Sequence, residues 1–565
     1  MQGLTLVGFA AALMGTVAFV PSAAMASPLP KCSGLAAQLL TNSDILSATS
    51  AVQPASAPNL SYCLVNITVS DLAGPIDGYL PGQKQMIGIA IGLPLSTADG
   101  GSGGVQGAWN GRIENLGGGG YQGLISPVTP ATNAGYAGSN TDTGHKGNAA
   151  LGGPLFGVIG DGTWALNPND TLNWGLINDF AFNGIHEQTI WTKKLVQMYY
   201  GEAPKYTYWN GCSTGGRQGH EQAQRYPDDY DGILAGAPAF NWDRFIPAEQ
   251  WGEVVMNQEV GAPIVEAKLD AVSAAITAAC DPLDGLSDGI IQDPRACTFD
   301  ANTYVCGEPG AASLGANCLT PQEAGALNKI WNGPPWLGPD QQLWFGLERG
   351  SFLDFLDGAA AFTVSTTHIA YWVFQNPAFD WHTLTETTFD TTFRDSELKF
   401  REVIGTDNPD LSTFKAHGGK MIMYHGLEDE LIFPRGSYNY YNAVTKAQGS
   451  LAATQSFYRF FPYPGNGHCG QQPSFEPGAP QINSSDLFNA LVNWVEHGAA
   501  PDSIVAYNGA NDTGGSRPIC KYPDTLVYNG SGSLFLASDF HCQKQTADPL
   551  MPAENALPDP GIEGP

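Results

Sequence analysis

Ten cysteines in a chain that opens on an uncharged leader restrict its fold more than any other feature. Met1 to Ala26 hold no charged residue, Leu4 to Val20 form an apolar run, and Ala24-Met25-Ala26 offers small residues at a cleavage position. The stretch reads as a secretory signal peptide ending near Ala26, although no Lys or Arg precedes the run. A membrane anchor fits less well, because the run is short for a bilayer and carries Gly8 and Gly15. No later segment is apolar enough to span a membrane. An exported chain meets an oxidising compartment, where cysteines pair. Pairing sequence neighbours would close the loops 32–63, 280–297, 306–318 and 520–542. Cys212 and Cys469 would then be left for each other with no odd thiol. Ten cysteines permit many other connectivities, and the sequence does not choose among them.

At 565 residues the chain exceeds one small core, so it holds several domains or one large core with insertions. Hydrophobic residues at 43% and charged residues at 14% describe a globular protein. A net charge of −29, with only 25 Lys and Arg, leaves no basic face for a nucleic acid. No repeat of solenoid or propeller period is visible.

Short apolar runs alternate with helical patterns. Met86–Leu93, Trp109–Leu116, Tyr206–Asn210, Gly232–Ala235, Lys420–Tyr424 and Ser456–Phe461 read as strands; Gly216–Tyr226 and Leu487–His497 read as helices. The alternation predicts an α/β fold, a mostly parallel sheet with helices on both faces. Residues 242–394 interrupt the rhythm with four cysteines, an Asp/Gly cluster and many aromatics. They read as a lid inserted between two parts of the core, residues 27–241 and 395–565.

Gly211-Cys212-Ser213-Thr214-Gly215 matches G-x-S-x-G, as does Gly100-Gly101-Ser102-Gly103-Gly104. Context separates them. Ser102 sits in a Gly-rich loop, whereas Ser213 ends a strand and opens a helix, as a nucleophile elbow requires. A serine hydroxyl needs a base to take its proton. In the chain order of α/β-hydrolases the acid and then the histidine follow the serine. His468, on the Gly-rich turn Pro464–Cys469, is the candidate base. If Cys212 pairs with Cys469, a bridge that holds Cα atoms about 4.4–6.8 Å apart brings Ser213 and His468 together. Asp429, in the turn after Lys420–Tyr424, is the candidate to orient the imidazole. Glu428 and Glu430 compete with it, and at least one of the three acids is expected on the surface. Thr214 supplies one oxyanion donor, and the Gly117–Gly120 loop supplies the other, with Gly119 chosen among its glycines.

GCSTGGRQG at 211–219, HGLED at 425–429 and GHCG at 467–470 resemble the tannase and feruloyl esterase family of secreted α/β-hydrolases. The resemblance runs from the Gly117–Gly120 loop to the His468-Cys469 turn, and it includes a disulfide beside the triad. It implies serine-esterase chemistry through an acyl-enzyme, without organic cofactor, on esters of hydroxylated aromatic acids. Feruloyl esters of plant cell walls are the leading substrate, with galloyl esters and a terephthalate monoester as alternatives. No Arg lies between Gly350 and Phe393 to hold a terephthalate carboxylate. Phe352, Phe355, Phe362, Tyr371, Trp372, Phe374, Phe379 and Trp381 suit a neutral ring instead. A phenolic- or glycan-binding protein that has lost catalysis is the reading from another class. In the lid, Asp281, Asp284 and Asp288 with the Leu286 and Ile290 carbonyls supply hard oxygens. The resemblance implies a structural calcium ion there.

Overall fold

The computed structural model describes residues 29–70, 79–80, 83–103, 107–335, 342–353, 361–470, 476, 478–508 and 515–550. The leader at 1–26 and Phe355 lie outside them. Five strands form a parallel sheet in the order β4-β6-β7-β8-β9: β4 (Arg112–Leu116), β6 (Tyr206–Cys212), β7 (Gly232–Gly236), β8 (Lys420–Gly426) and β9 (Tyr458–Tyr463). Alternate residues serve opposite faces. Trp209, Ile233, Ala235, Met421, Met423 and Phe460 pack on one side, with Ala223 of the helix Thr214–Arg225 and Tyr438 and Tyr441 of the helix Pro434–Ala447. Tyr208, Leu234, Ile422 and Phe461 pack on the other, with Leu487, Leu491 and Trp494 of the helix Ser484–His497. Burial on both faces explains why these strands read as nearly continuous apolar runs.

An antiparallel wing accompanies this sheet: β1 (Ile45–Gln53), β2 (Tyr62–Val69), β3 (Ile87–Pro94) and β5 (Gly138–Thr141), in the order β1-β2-β3-β5. A parallel bridge between Ile113 and Ala137 joins wing and sheet. The expected strand Trp109–Leu116 begins only at Arg112, since Asn110-Gly111 makes the turn into it, with Gly111 at φ +85°. Two hairpins, β10 (Ser503–Tyr507) with β11 (Ser516–Cys520) and β12 (Thr525–Tyr528) with β13 (Phe540–Gln543), complete the strands.

The chain leaves the sheet after β7 and returns at β8. Between them stand the helices Trp242–Glu249, Trp251–Glu259, Glu266–Cys280, Pro321–Asn332 and Glu386–Ile404, which share an apolar core with Tyr121, Trp164 and Phe180. The helix Glu386–Ile404 runs through position 394, so a boundary there cuts a helix. Disulfides join Cys32–Cys63, Cys212–Cys469, Cys280–Cys297, Cys306–Cys318 and Cys520–Cys542, and no cysteine is free. Among the described residues no helix is long and apolar enough to cross a membrane.

Candidate active site

Ser213 stands between the end of β6 and the helix Thr214–Arg225, at φ +64° and ψ −126°. That conformation is disfavoured for a side chain with Cβ, by about 1–3 kcal/mol, so the surroundings must hold it. The Ser213 N–H donates to Gly236 O (2.9 Å), and Ser213 O accepts from Arg217 N (3.1 Å) and Ala239 N (3.1 Å). Packing leaves no room for side chains beside it: a Cβ on Gly216 would stand 2.3 Å from Gly236 O. The turn therefore presents a half-buried hydroxyl at the carboxyl end of the sheet.

Asp429 follows β8 on a tight turn. Its Oδ1 accepts the N–H groups of Leu431 (2.9 Å) and Ile432 (2.8 Å). Its Oδ2 lies 2.9 Å from His468 Nδ1 and 3.1 Å from His425 Nε2. Nδ1 of His468 therefore carries the proton, and Nε2 keeps its lone pair. Burial pushes the Asp429 carboxyl up, but the two imidazoles and their hydrogen bonds outweigh it and hold the group far below the usual carboxylate range. Burial lowers His468 in turn, and the Asp429 charge more than restores it, leaving the imidazole above its ordinary 6.5. His425 is fixed from behind: Ser437 Oγ lies 2.7 Å from its Nδ1, and Ile432 O lies 2.9 Å from its Nε2.

Of the three neighbouring acids, Asp429 alone bonds the His468 ring. Glu430 Oε2 accepts the His468 backbone N–H at 3.3 Å. Glu428 sits against Glu476, and burial followed by that neighbour's charge raises its proton affinity. Glu428, Asp429 and Glu430 are 0%, 0% and 2% exposed, so none lies on the surface as expected for at least one. The turn is packed under the lid, where polarity in the sequence says nothing about solvent.

The Cys212–Cys469 bridge spans 257 residues with Cα atoms 5.9 Å apart. It ties the residue before Ser213 to the residue after His468. Among the described residues the Ser213 hydroxyl makes no hydrogen bond to His468; such contacts often tighten only when substrate binds. Thr214, first in its helix, has a backbone N–H with no partner among the described residues. In the glycine loop Gly117 N–H donates to Asn210 O (3.0 Å) and Gly118 N–H to Gln218 Oε1 (3.0 Å). Among the described residues the N–H groups of Gly119 and Gly120 have no partner, and the Thr214 hydroxyl ties the loop to the elbow by donating to Gly120 O (2.6 Å). Ser102 lies on an exposed loop after the short helix that ends at Asp99, with no strand leading into it.

Tyr121 follows this loop and packs on Trp372 of the lid, with ring centroids 5.7 Å apart, and on Trp164 and Trp242. Of the lid aromatics named from sequence, Trp372 joins that cluster, whereas Phe374 and Phe379 stack on each other nearer the surface. Sequence reasoning missed Trp164, Phe180 and Trp242, because nothing in their local pattern signals convergence. It also missed Glu249, a carboxyl 1% exposed whose proton affinity is raised first by burial, then by Glu253 and Asp429.

In the lid loop, Asp281 Oδ1 accepts from Asp288 N (3.1 Å), Asp284 Oδ1 from Leu286 N (2.9 Å), and Asp288 Oδ1 from Ile290 N (3.2 Å). Asp288 Oδ2 pairs with Arg517 at 2.5 Å. Among the described residues no three His, Cys, Asp or Glu side chains converge as a metal cage. The three acids do lie close together: after burial, the charges of Asp288 and Asp281 both push the Asp284 carboxyl up. The donor set is one of hard oxygens, which is the chemistry calcium selects.

The family model described as "Tannase and feruloyl esterase" matches residues 105–351 and 354–543. A probable feruloyl esterase of Arthroderma benhamiae is 33% identical over 514 residues, covering 86% of this chain and 87% of the relative. Feruloyl esterase B of Aspergillus niger is 30% identical, over 77% of this chain and 82% of the relative. The crystal structure of feruloyl esterase B from Aspergillus oryzae superposes with a TM-score of 0.72 at 28% identity, covering 90% of this chain and 99% of that one. Tannin acyl hydrolase from Aspergillus niger shares the fold, with a TM-score of 0.74 at 24% identity over 94% and 96% of the two chains. The α/β-hydrolase sheet, the strained serine turn and these relatives agree: the chain belongs to the tannase and feruloyl esterase family of carboxylic ester hydrolases.

Proposed function

We propose that this chain is a secreted serine feruloyl esterase that releases hydroxycinnamic acids from plant cell-wall esters through an acyl-enzyme. The observation that carries the reading is the Asp429–His468 hydrogen bond, moored by the Cys212–Cys469 bridge beside the strained Ser213 turn. Ser213 Oγ attacks the ester carbonyl while His468 Nε2 takes its proton. Asp429 holds the imidazole in the tautomer that leaves Nε2 free and stabilises the imidazolium that forms. The N–H of Thr214 and that of Gly119, with Gly120 beside it, receive the developing oxyanion. The alcohol leaves with the proton from His468, and water, activated by the same imidazole, then frees the acid.

The relatives' names favour ferulate as the acyl group. The test is kcat/KM on methyl ferulate and methyl gallate side by side. A larger value for gallate makes the protein a tannase, and no hydrolysis of either ester or of p-nitrophenyl acetate makes it a binding protein. Ser213→Ala should lower kcat by at least about a thousandfold with an unchanged melting curve; activity near wild type would place the nucleophile elsewhere.

The same proposal includes calcium held by Asp281, Asp284 and Asp288 with the Leu286 and Ile290 carbonyls. The ion would supply fixed positive charge to the loop and take no part in the ester chemistry. A chelator should lower the melting temperature of the intact protein, and an unchanged curve would remove calcium from the account.

A further inference from the structure

Asp429 Oδ1 is pinned to its own turn by the N–H groups of Leu431 and Ile432, at 2.9 and 2.8 Å. Two such bonds fix where the carboxylate stands. His425, buried at the end of β8, does not add to them. It falls on Oδ2, the oxygen nearer His468: His425 Nε2 lies 3.1 Å from it and His468 Nδ1 lies 2.9 Å from it. Two imidazoles thus divide one oxygen.

The neighbours of His425 assign its proton. Nε2 faces two oxygens that can only accept, Asp429 Oδ2 and Ile432 O, at 3.1 and 2.9 Å, so Nε2 carries a hydrogen and donates it. Nδ1 lies 2.7 Å from Ser437 Oγ, in the helix Pro434–Ala447. Ser437 is buried, and among the described residues its hydroxyl has no other partner. The hydroxyl hydrogen is satisfied only where Nδ1 accepts it; a proton on Nδ1 would strand it in the interior. Ser437 therefore selects the neutral imidazole with its hydrogen on Nε2.

We propose that His425 is a positioning residue that acts through Asp429: a neutral donor selected by Ser437, it occupies part of Oδ2 and limits how strongly that oxygen holds the His468 proton. The proposal rests on Ser213, His468 and Asp429 being the catalytic set. A buried carboxylate that gave its whole charge to one imidazole would keep that ring protonated, and so useless as a base, up to higher pH. Removing the donor should therefore make His468 more basic. If His425 served only as packing, its loss would loosen Asp429, weaken the Asp429–His468 bond and make His468 less basic. The direction of the change separates the two roles.

Three other ionisable groups lie within reach of the Asp429 charge: Glu430 on the same turn, Glu249 of the lid helix Trp242–Glu249, and Tyr463 of β9. Burial and then that charge push Glu430 up to about 7. This falls in the window where His468 is read, so each comparison is repeated in a Glu430→Gln background.

The full chain is inactivated with phenylmethanesulfonyl fluoride across a range of pH, with mass spectrometry locating the label. The rate reports the fraction of neutral His468 in the free protein. His425→Leu, which fills the space without a donor, should move the midpoint up by about one pH unit, the worth of one hydrogen bond to a charged group, so that the rate below the midpoint falls about tenfold. KM for methyl ferulate should not change. His425→Gln, which offers an N–H to Oδ2, should bring the midpoint back toward that of wild type. Nitrogen-15 spectra of the wild-type imidazoles in mildly alkaline buffer test the same assignment without a substitution, and Nδ1 of His425 should be bare. A label on a residue other than Ser213 would overturn the catalytic set and this proposal together. With the label on Ser213, a midpoint that stays or falls in His425→Leu, no recovery in His425→Gln, or a hydrogen on Nδ1 of His425 would overturn the proposal alone.

Discussion

Two buried carboxyl groups, one beside the catalytic histidine and one in the lid, hold opposite protonation states. Asp429, at the carboxyl end of β8, is 0% exposed and accepts two backbone N–H groups while facing two imidazoles. Glu253, in the lid, is 4% exposed and accepts one backbone N–H. Burial raises the proton affinity of both. Around Asp429 the cations and donors outweigh it; around Glu253 nothing does. The depth of a group therefore does not decide its ionisation. The number of donors and cations aimed at it does, and the fold assembles them around Asp429 and withholds them from Glu253.

The largest effect should come from removing the charge at the catalytic end. Asp429→Asn should lower kcat/KM by about a thousand- to ten-thousandfold. Wild type needs a neutral His468, so its activity should rise with pH through a value above 6.5, because Asp429 stabilises the imidazolium. In the variant that limb should move down. A loss under tenfold, or a limb that stays in place, would break the contrast. Cys212→Ala with Cys469→Ala comes next. Releasing a 257-residue loop removes about 5 kcal/mol in the chain-entropy model, and kcat should fall about tenfold or more as His468 loses its mooring. Full kcat in a folded double variant would show that Asp429 alone positions the ring. Glu253→Gln should have the smallest effect on kcat, and its signature is in stability. The folded carboxyl titrates near 8 against 4.5 when unfolded, so wild type has its full stability below 4.5 and loses it as pH rises toward 8. The variant's advantage in stability should grow over that window by about 1.4 kcal/mol per pH unit. A constant offset would mean that Glu253 ionises normally.

The contrast also explains what could be read from the sequence. Strands such as Lys420–Gly426 announce themselves because both faces are buried, and the serine turn because its glycines have no substitute. The neighbour pairing of cysteines matches the bridges in the structure. The acids were opaque. Glu428, Glu430, Glu249 and Glu253 are ordinary surface residues by composition, and only tertiary packing makes them interior. The cluster of Tyr121, Trp164, Trp242 and Trp372 was hidden for the same reason, since its members come from distant stretches joined only in space.

The sulfur of position 469 belongs to an exposed residue in a left-handed backbone conformation. The tether between imidazole and serine therefore sits at the protein surface on the histidine side. A newly made chain in a reducing cytosol lacks that tether altogether. Until that bridge forms, His468 lacks its mooring to the serine turn.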